Sequence, residues 1–163
     1  MKALASKTYW SKTWKEFPAG QLPFSPTKPG FRDFHRLFQR VLEEEDAESL
    51  LEIGCYPGRF LWYFNQTFKL KVSGLEYIDW ACQKSETLLR ENGIEAELIH
   101  GDLFEADMGG RTWDIVASFG FIEHFTDLDP VLRKHLDLLK PGGLLLLTFP
   151  NHTGFNGRLF RWI

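Results

Sequence analysis

Apolar residues along this chain switch repeatedly between two spacings. Phe31, Phe34, Phe38, Val41 and Leu42 recur at three and four positions and predict one stripe of a helix over 31–45. At 50–53 the run is continuous apart from Glu52, until Gly54 stops it. After Gly58 helical spacing resumes through Phe60, Leu61, Phe64 and Phe68. The alternation then repeats. A strand is predicted over 70–76, and a helix over 79–90 with Asp79 as its N-cap and Asn92-Gly93 as its stop. Strands over 96–100 and 113–119 follow, separated by a loop at Met108-Gly109-Gly110. A helix over about 129–139, a turn at Lys140-Pro141-Gly142-Gly143 and a fifth strand over 144–149 complete the pattern. Short apolar strands alternating with helices predict an α/β fold with a parallel, doubly wound sheet covered on both faces.

Residues 1–30 stand apart as an arm. Pro18, Pro23, Pro26 and Pro29 forbid one long helix there. The arm carries Tyr9, Trp10, Trp14, Phe17 and Phe24. Two readings stand. The rings form a lid that excludes water from a substrate pocket, or they simply pack on the domain surface. The run Glu43-Glu44-Glu45-Asp46 reads as a solvated helix end rather than a metal site.

Composition changes this picture in three places. A chain of 163 residues is expected to form one domain with a sizeable core. Two cysteines, Cys55 and Cys82, make no disulfide framework, so a reducing, cytoplasmic location is expected. No secretory leader is apparent, and the longest aliphatic run, 144–147, is too short to span a bilayer. The net charge of −3 conceals +6 over residues 1–40 and −9 over the rest. A basic arm could reach an acidic partner, but its charges are scattered rather than blocked. Neutralisation of its own acidic domain is the favoured reading.

The chemistry concentrates at the carboxyl ends of the predicted strands, where ligands bind such sheets. The glycine turn at Gly54-Cys55-Tyr56-Pro57-Gly58 lets a ligand approach the backbone and turns helix N–H groups toward its anionic part. Glu52 offers a carboxylate to a cationic part. Glu76 ends the second strand and can accept both hydroxyls of a ribose. Asp102 ends the third, placed to accept from an exocyclic amine, and Ser118, Phe119 and Gly120 end the fourth. A nucleoside carrying an amino-acid-like tail suits this set.

These residues carry a resemblance. The segments Leu51-Glu52-Ile53-Gly54-Cys55-Tyr56-Pro57-Gly58, Gly74-Leu75-Glu76-Tyr77, His100-Gly101-Asp102-Leu103, Trp113-Asp114-Ile115-Val116 and Leu139-Lys140-Pro141-Gly142-Gly143 stand in the order and spacing of one family. Over residues 31–150 the chain resembles the class I S-adenosylmethionine-dependent methyltransferases. The resemblance implies a Rossmann-like sheet of strand order 3-2-1-4-5 and S-adenosyl-L-methionine as cofactor. It implies Glu52 and the backbone from Gly54 through Cys55 and Tyr56 to Gly58 at the methionyl end. Glu76 would lie on the ribose, Tyr77 beside the adenine, Asp102 and Leu103 at the adenine edge, and Phe119 with its backbone toward the methionyl amine.

Two departures accompany it. The family's turn has three glycines, and Tyr56 takes the middle position here. The loop must reshape or tolerate a side chain beside the cofactor. The family also adds strands six and seven, whereas residues 151–163 look like the start of a substrate-binding insertion or a tail. An incomplete chain is therefore expected, with residues 144–149 as an apolar edge that pairs with another copy or is covered by the last residues.

Methyl transfer asks mainly for positioning, and a base where the acceptor carries a proton. His124 is the candidate base, just past the fourth strand, with Glu123 orienting the loop. The competing reading is that His124 caps or packs the next helix. The Glu-His-Phe run also resembles the lipid-modifying cyclopropane synthases of the same superfamily. Of the other histidines, His35 is expected to face polar neighbours and His135 to be an ordinary helix residue. No histidine and cysteine spacing suggests a structural zinc.

Three function classes follow from this reading. The first is methyl transfer to a small organic or lipid-like acceptor, with no nucleic acid partner and no membrane span. The second is a non-catalytic binding or scaffold module of the same fold. The third, a nicotinamide-dependent oxidoreductase, fits least, because the turn lacks the Gly-x-Gly-x-x-Gly pattern.

Overall fold

The computed structural model describes residues 4–16 and 29–150. The arm's residues 17–28 and the tail 151–163 lie outside the described residues, so the expectations placed on them find no counterpart here. In chain order the elements are α1 (Lys7–Glu16), α2 (Pro29–Leu42), β1 (Ser49–Ile53), α3 (Arg59–Phe68) and β2 (Lys71–Glu76). They continue with α4 (Asp79–Glu91), β3 (Ala96–His100), β4 (Trp113–Phe119), a 3-10 turn (Ile122–His124), α5 (Leu128–Asp137) and β5 (Leu139–Thr148).

The five strands form one parallel sheet in the order β3-β2-β1-β4-β5, as the resemblance implied. Successive residues of a strand point to opposite faces, and the core splits accordingly. Leu50, Ile115 and Ala117 face a cluster built with Phe38 and Leu42 of α2 and Leu61, Tyr63 and Phe64 of α3. Leu51, Ile53 and Val116 face a second cluster with Val131 and Leu138. Both faces are therefore buried, which is why the strands read as apolar runs rather than as alternation.

Several boundaries differ from expectation for definite reasons. Asp79 is the first residue of α4 rather than its cap. Ile78 holds the cap position without a side-chain bond, and the Asp79 carboxylate accepts from Gln83 Nε2 at 3.0 Å. Helix α5 starts at Leu128, with Asp127 as its cap, the side chain accepting from the Asp129 amide. Helix α2 stops at Leu42, before the exposed acidic run.

The expected turn at 140–143 is a bulge inside β5. Leu139 pairs with Trp113 and Leu144 with Ile115, so the intervening residues loop out while the ladder continues on either side. His35, expected among polar neighbours, is half-buried with its Nδ1 2.8 Å from the Tyr63 hydroxyl.

At the amino ends of the strands a polar cluster ties three elements together. Asp114 Oδ2 accepts from the Glu48 amide at 3.2 Å, the Ser49 amide at 3.0 Å and the Ser49 hydroxyl at 2.6 Å. Lys140 Nζ donates to its Oδ1 at 2.8 Å. Burial pushes the Asp114 carboxyl up, but Lys140, Ser49 and Glu48 outweigh it and the pKa falls to about 2. Among the described residues no helix is long and apolar enough to cross a membrane.

Candidate functional site

At the opposite, carboxyl end of the sheet a cavity of about 480 Å³ opens, within the range of small-molecule and cofactor sites. Its floor is the turn after β1. Gly54 holds φ +76°, and a Cβ there would lie 2.9 Å from the Phe121 ring. Only glycine fits this conformation and this contact, so the backbone lies bare against the cavity. Gly54 and Tyr56 line it, whereas Cys55 and Gly58 do not.

Cys55 turns into the core against Gly74, where a Cβ would stand 2.5 Å from its Sγ. Burial pushes that thiol well up, and nearby Glu52 adds to the shift. Gly58 instead begins α3 and abuts Leu89. Both residues thus shape the turn from behind.

Tyr56 answers the question of the third glycine. Its ring turns aside, between Trp14 at 5.5 Å and Trp80 at 5.5 Å. Its amide donates to Glu76 Oε2 at 3.2 Å. Glu76 Oε1 accepts from the Ile78 amide at 2.9 Å. One carboxylate therefore clamps the glycine turn to the end of β2. It is buried yet lines the cavity. Burial raises its pKa, against the pull of the Ile78, Tyr56 and Tyr77 amides. A carboxylate has about four lone-pair sites, so acceptor capacity remains beyond these amides.

Glu52 lies deeper, 3% exposed and behind the cavity wall. Burial pushes its carboxyl well up, opposed by the Leu61 amide. Its Oε2 is buried without a hydrogen-bond partner among the described residues. Such an acceptor is costly unless something satisfies it.

After β3 the lining continues with Asp102, Leu103 and Phe104. Asp102 Oδ1 accepts from the Phe104 amide at 2.8 Å, which fixes the loop after β3. Tyr77 sits beside them with the Lys7 ammonium 4.8 Å from its ring centre. After β4 the lining continues with Phe119, Gly120 and His124. The Phe119 ring stacks on Phe60 at 3.9 Å, so it presents backbone rather than ring chemistry.

Glu123 does not line the cavity. Its Oε1 is 3.9 Å from His124 Nε2, and its buried Oε2 has no hydrogen-bond partner among the described residues. His124 does line it.

Sequence reasoning left the arm undecided. In the structure α1 closes over the cavity. Trp10 meets the His124 ring edge-on at 4.6 Å, the Leu4 amide donates to the His124 carbonyl at 2.8 Å, and Trp80 Nε1 donates to Ser11 at 3.0 Å. Trp10 and Trp14 line the cavity.

Behind the site lies a residue the sequence did not single out. His135 is fully buried, with Nδ1 2.8 Å from the Val131 carbonyl and Nε2 3.1 Å from Ser118 Oγ. Burial lowers its pKa, and a neutral ring donating to the carbonyl and accepting from the hydroxyl satisfies both partners. Among the described residues no group of three or more His, Cys, Asp or Glu could hold a metal ion.

A family model described as a methyltransferase domain matches residues 28–163. The chain belongs to this methyltransferase family. It is 26% identical over 126 residues to a probable S-adenosylmethionine-dependent methyltransferase of Mycolicibacterium smegmatis, covering 77% of this chain and 47% of that protein. It is 25% identical over 127 residues to a probable (S)-tetrahydroprotoberberine N-methyltransferase of Papaver bracteatum, covering 75% of this chain and 34% of that one.

Two solved methyltransferases share the fold. Coclaurine N-methyltransferase bound to N-methylheliamine and SAH superposes with TM-score 0.65 at 20% identity, covering 79% of this chain and 38% of that one. A Geobacter sulfurreducens methyltransferase in complex with S-adenosyl-L-homocysteine gives 0.60 at 17%, covering 78% and 51%. This methyltransferase chain spans half or less of the length of these two curated relatives.

Proposed function

We propose that this methyltransferase domain binds S-adenosyl-L-methionine in the cavity at the carboxyl end of its sheet and transfers the methyl group to a small organic acceptor. The observation that carries the reading is convergence. The bare backbone of Gly54, the Glu76 carboxylate and the Asp102 loop meet on one cavity of nucleoside size.

The residues fit the cofactor. Glu76 would accept a ribose hydroxyl through its remaining acceptor site. Asp102 would accept from the adenine amine, with Leu103 and Tyr77 against the ring. The Gly54 and Tyr56 backbone would lie along the methionyl part, with Phe119 offering main-chain groups to its amine. Glu52, whose buried Oε2 has no hydrogen-bond partner among the described residues, would favour a cation nearby. When bound, the cofactor supplies a methyl group already activated by a positively charged sulfur.

The chain's own residues then position and exclude. Trp10 and Trp14 on α1 cover the cavity and keep water from it. Holding the acceptor in line with the methyl group accounts for most of the rate, since orientation alone can supply about 7–11 kcal/mol. His124 takes a proton from acceptors that carry one, and Glu123 orients its loop. The cavity is small and rich in aromatic side chains, which suits a small molecule rather than a nucleic acid.

The test is transfer of labelled methyl from S-adenosylmethionine to a panel of small amines, alcohols, acids and lipids beside an RNA oligonucleotide. Transfer to a small molecule, cut about 100-fold in His124→Ala for a proton-bearing acceptor, is expected. Transfer to the RNA alone would contradict the acceptor class. S-adenosylhomocysteine binding with no transfer to any acceptor would favour the scaffold module instead.

A further inference from the structure

Rings gather beside His124 in the lining of the cavity. Trp10 stacks on Trp14 at 5.4 Å and meets His124 edge-on at 4.6 Å. Trp14 leans on Tyr56 at 5.5 Å. All four line the cavity. Two of these rings come from α1, a helix with no buried residue, so they are not filling a core.

The surface around them already holds cations by ring faces. The Lys7 ammonium lies 4.8 Å from the Tyr77 ring centre, and that of Lys15 lies 5.7 Å from Trp80. Lys7 is the one lysine or arginine among the described residues lining the cavity, while Glu76 and Asp102 line it with opposite charge. The Lys7 ammonium is itself engaged on the Tyr77 ring.

We propose that Trp10, Trp14 and Tyr56 recognise the methyl acceptor, and that the acceptor is an amine; this rests on the methyl-transfer reading above. Ring faces attract ammonium groups through their quadrupole, most strongly where water is excluded. In the transfer the amine nitrogen gives its lone pair to the methyl carbon. The carbon–sulfur bond breaks with its electron pair left on sulfur, and the positive charge passes from sulfur to nitrogen.

A tertiary amine leaves as a quaternary ammonium with no proton released. A primary or secondary amine releases one proton, which His124 accepts. Rings on the nitrogen's side stabilise charge that appears in the transition state, and only such interactions speed the chemical step. A hydroxyl acceptor ends neutral and gains nothing from them. A carboxylate meets the negative faces of the rings.

The experiment compares choline with its neutral carbon isostere, 3,3-dimethylbutan-1-ol. Binding to the full chain is titrated with and without S-adenosylhomocysteine. Choline is expected to bind at least tenfold tighter than the alcohol. Trp10→Leu and Trp14→Leu, which keep an apolar side chain on a surface helix, should cut that preference below about threefold. Both variants should keep the parent's circular dichroism and thermal transition, which reports that they are folded.

Equal affinity for the two probes, no choline binding, or a preference that survives in both variants would overturn the proposal. Failure of S-adenosylhomocysteine to bind would refute the cofactor reading instead, and the probe comparison without it still decides the acceptor class.

Discussion

The two ends of this sheet treat carboxylates in opposite ways. At the amino end Asp114 is matched by donors on both oxygens and by a lysine ammonium, and its pKa falls to about 2. At the carboxyl end Glu52 and Glu76 are buried, their pKa values rise, and one oxygen of Glu52 has no hydrogen-bond partner among the described residues. The same chemical group serves as a staple where its bonds are closed. At the carboxyl end Glu76 reaches the cavity, and Glu52 keeps an open acceptor behind its wall. Burial without full pairing is costly, and a fold retains it where a bound group can complete the set.

The sharpest way to break this contrast is at the turn. Gly54→Val puts a branched side chain at φ +76° and within contact of Phe121. The turn must move, and S-adenosylhomocysteine binding is expected to drop by more than about 100-fold in calorimetric titration, the equivalent of roughly 2.7 kcal/mol. Retained binding would mean that the turn does not touch the cofactor.

At the other end the loss should be in stability alone. Asp114→Ala removes charged hydrogen bonds and should cost about 1–3 kcal/mol, a fall in Tm of roughly 2–10 °C. The pH dependence has a definite sign. Asp114 is depressed in the folded state, so its contribution is fully present above the unfolded value of about 3.9 and is lost as pH falls toward about 2. Acid titration of the variant should show a shallower decline over that window. An unchanged profile would contradict the staple.

The smallest effect concerns the sheet's edges. The half-buried leucines 144–147 lie on an outermost strand, β5. Weak self-association through 144–149 is expected in sedimentation at high concentration. Leu145→Lys should abolish it while leaving the monomer folded. A parent chain that stays monomeric throughout would remove the pairing idea.

What the sequence disclosed follows the same divide between local and tertiary causes. β3 and β4 match their predicted limits because turn residues bound their apolar runs. β5 was misread because Pro-Gly-Gly signals a turn locally, and only pairing with Trp113 and Ile115 shows that the ladder continues across it.

In the site, Gly54, Tyr56, Glu76, Tyr77, Asp102, Leu103, Phe119 and His124 were legible as strand-end residues and do line the cavity. Cys55, Gly58, Glu52 and Glu123 were legible by position, but their side chains or backbones stand behind the wall, a matter of direction that spacing does not encode. Trp10 and Trp14 were visible as rings without a destination. His135 carried no signal at all, since its burial is set by Ser118 and Phe121, elements away in the chain.

The most direct measurement is calorimetric titration of S-adenosylhomocysteine into the parent chain, Glu76→Gln and Asp114→Asn, each checked for folding. The account predicts micromolar binding to the parent and to Asp114→Asn. In Glu76→Gln it predicts a loss of about 10- to 100-fold, as expected when a charged acceptor worth roughly 1.5–3 kcal/mol is neutralised. Equal binding by all three, or no binding by a folded parent, would contradict it.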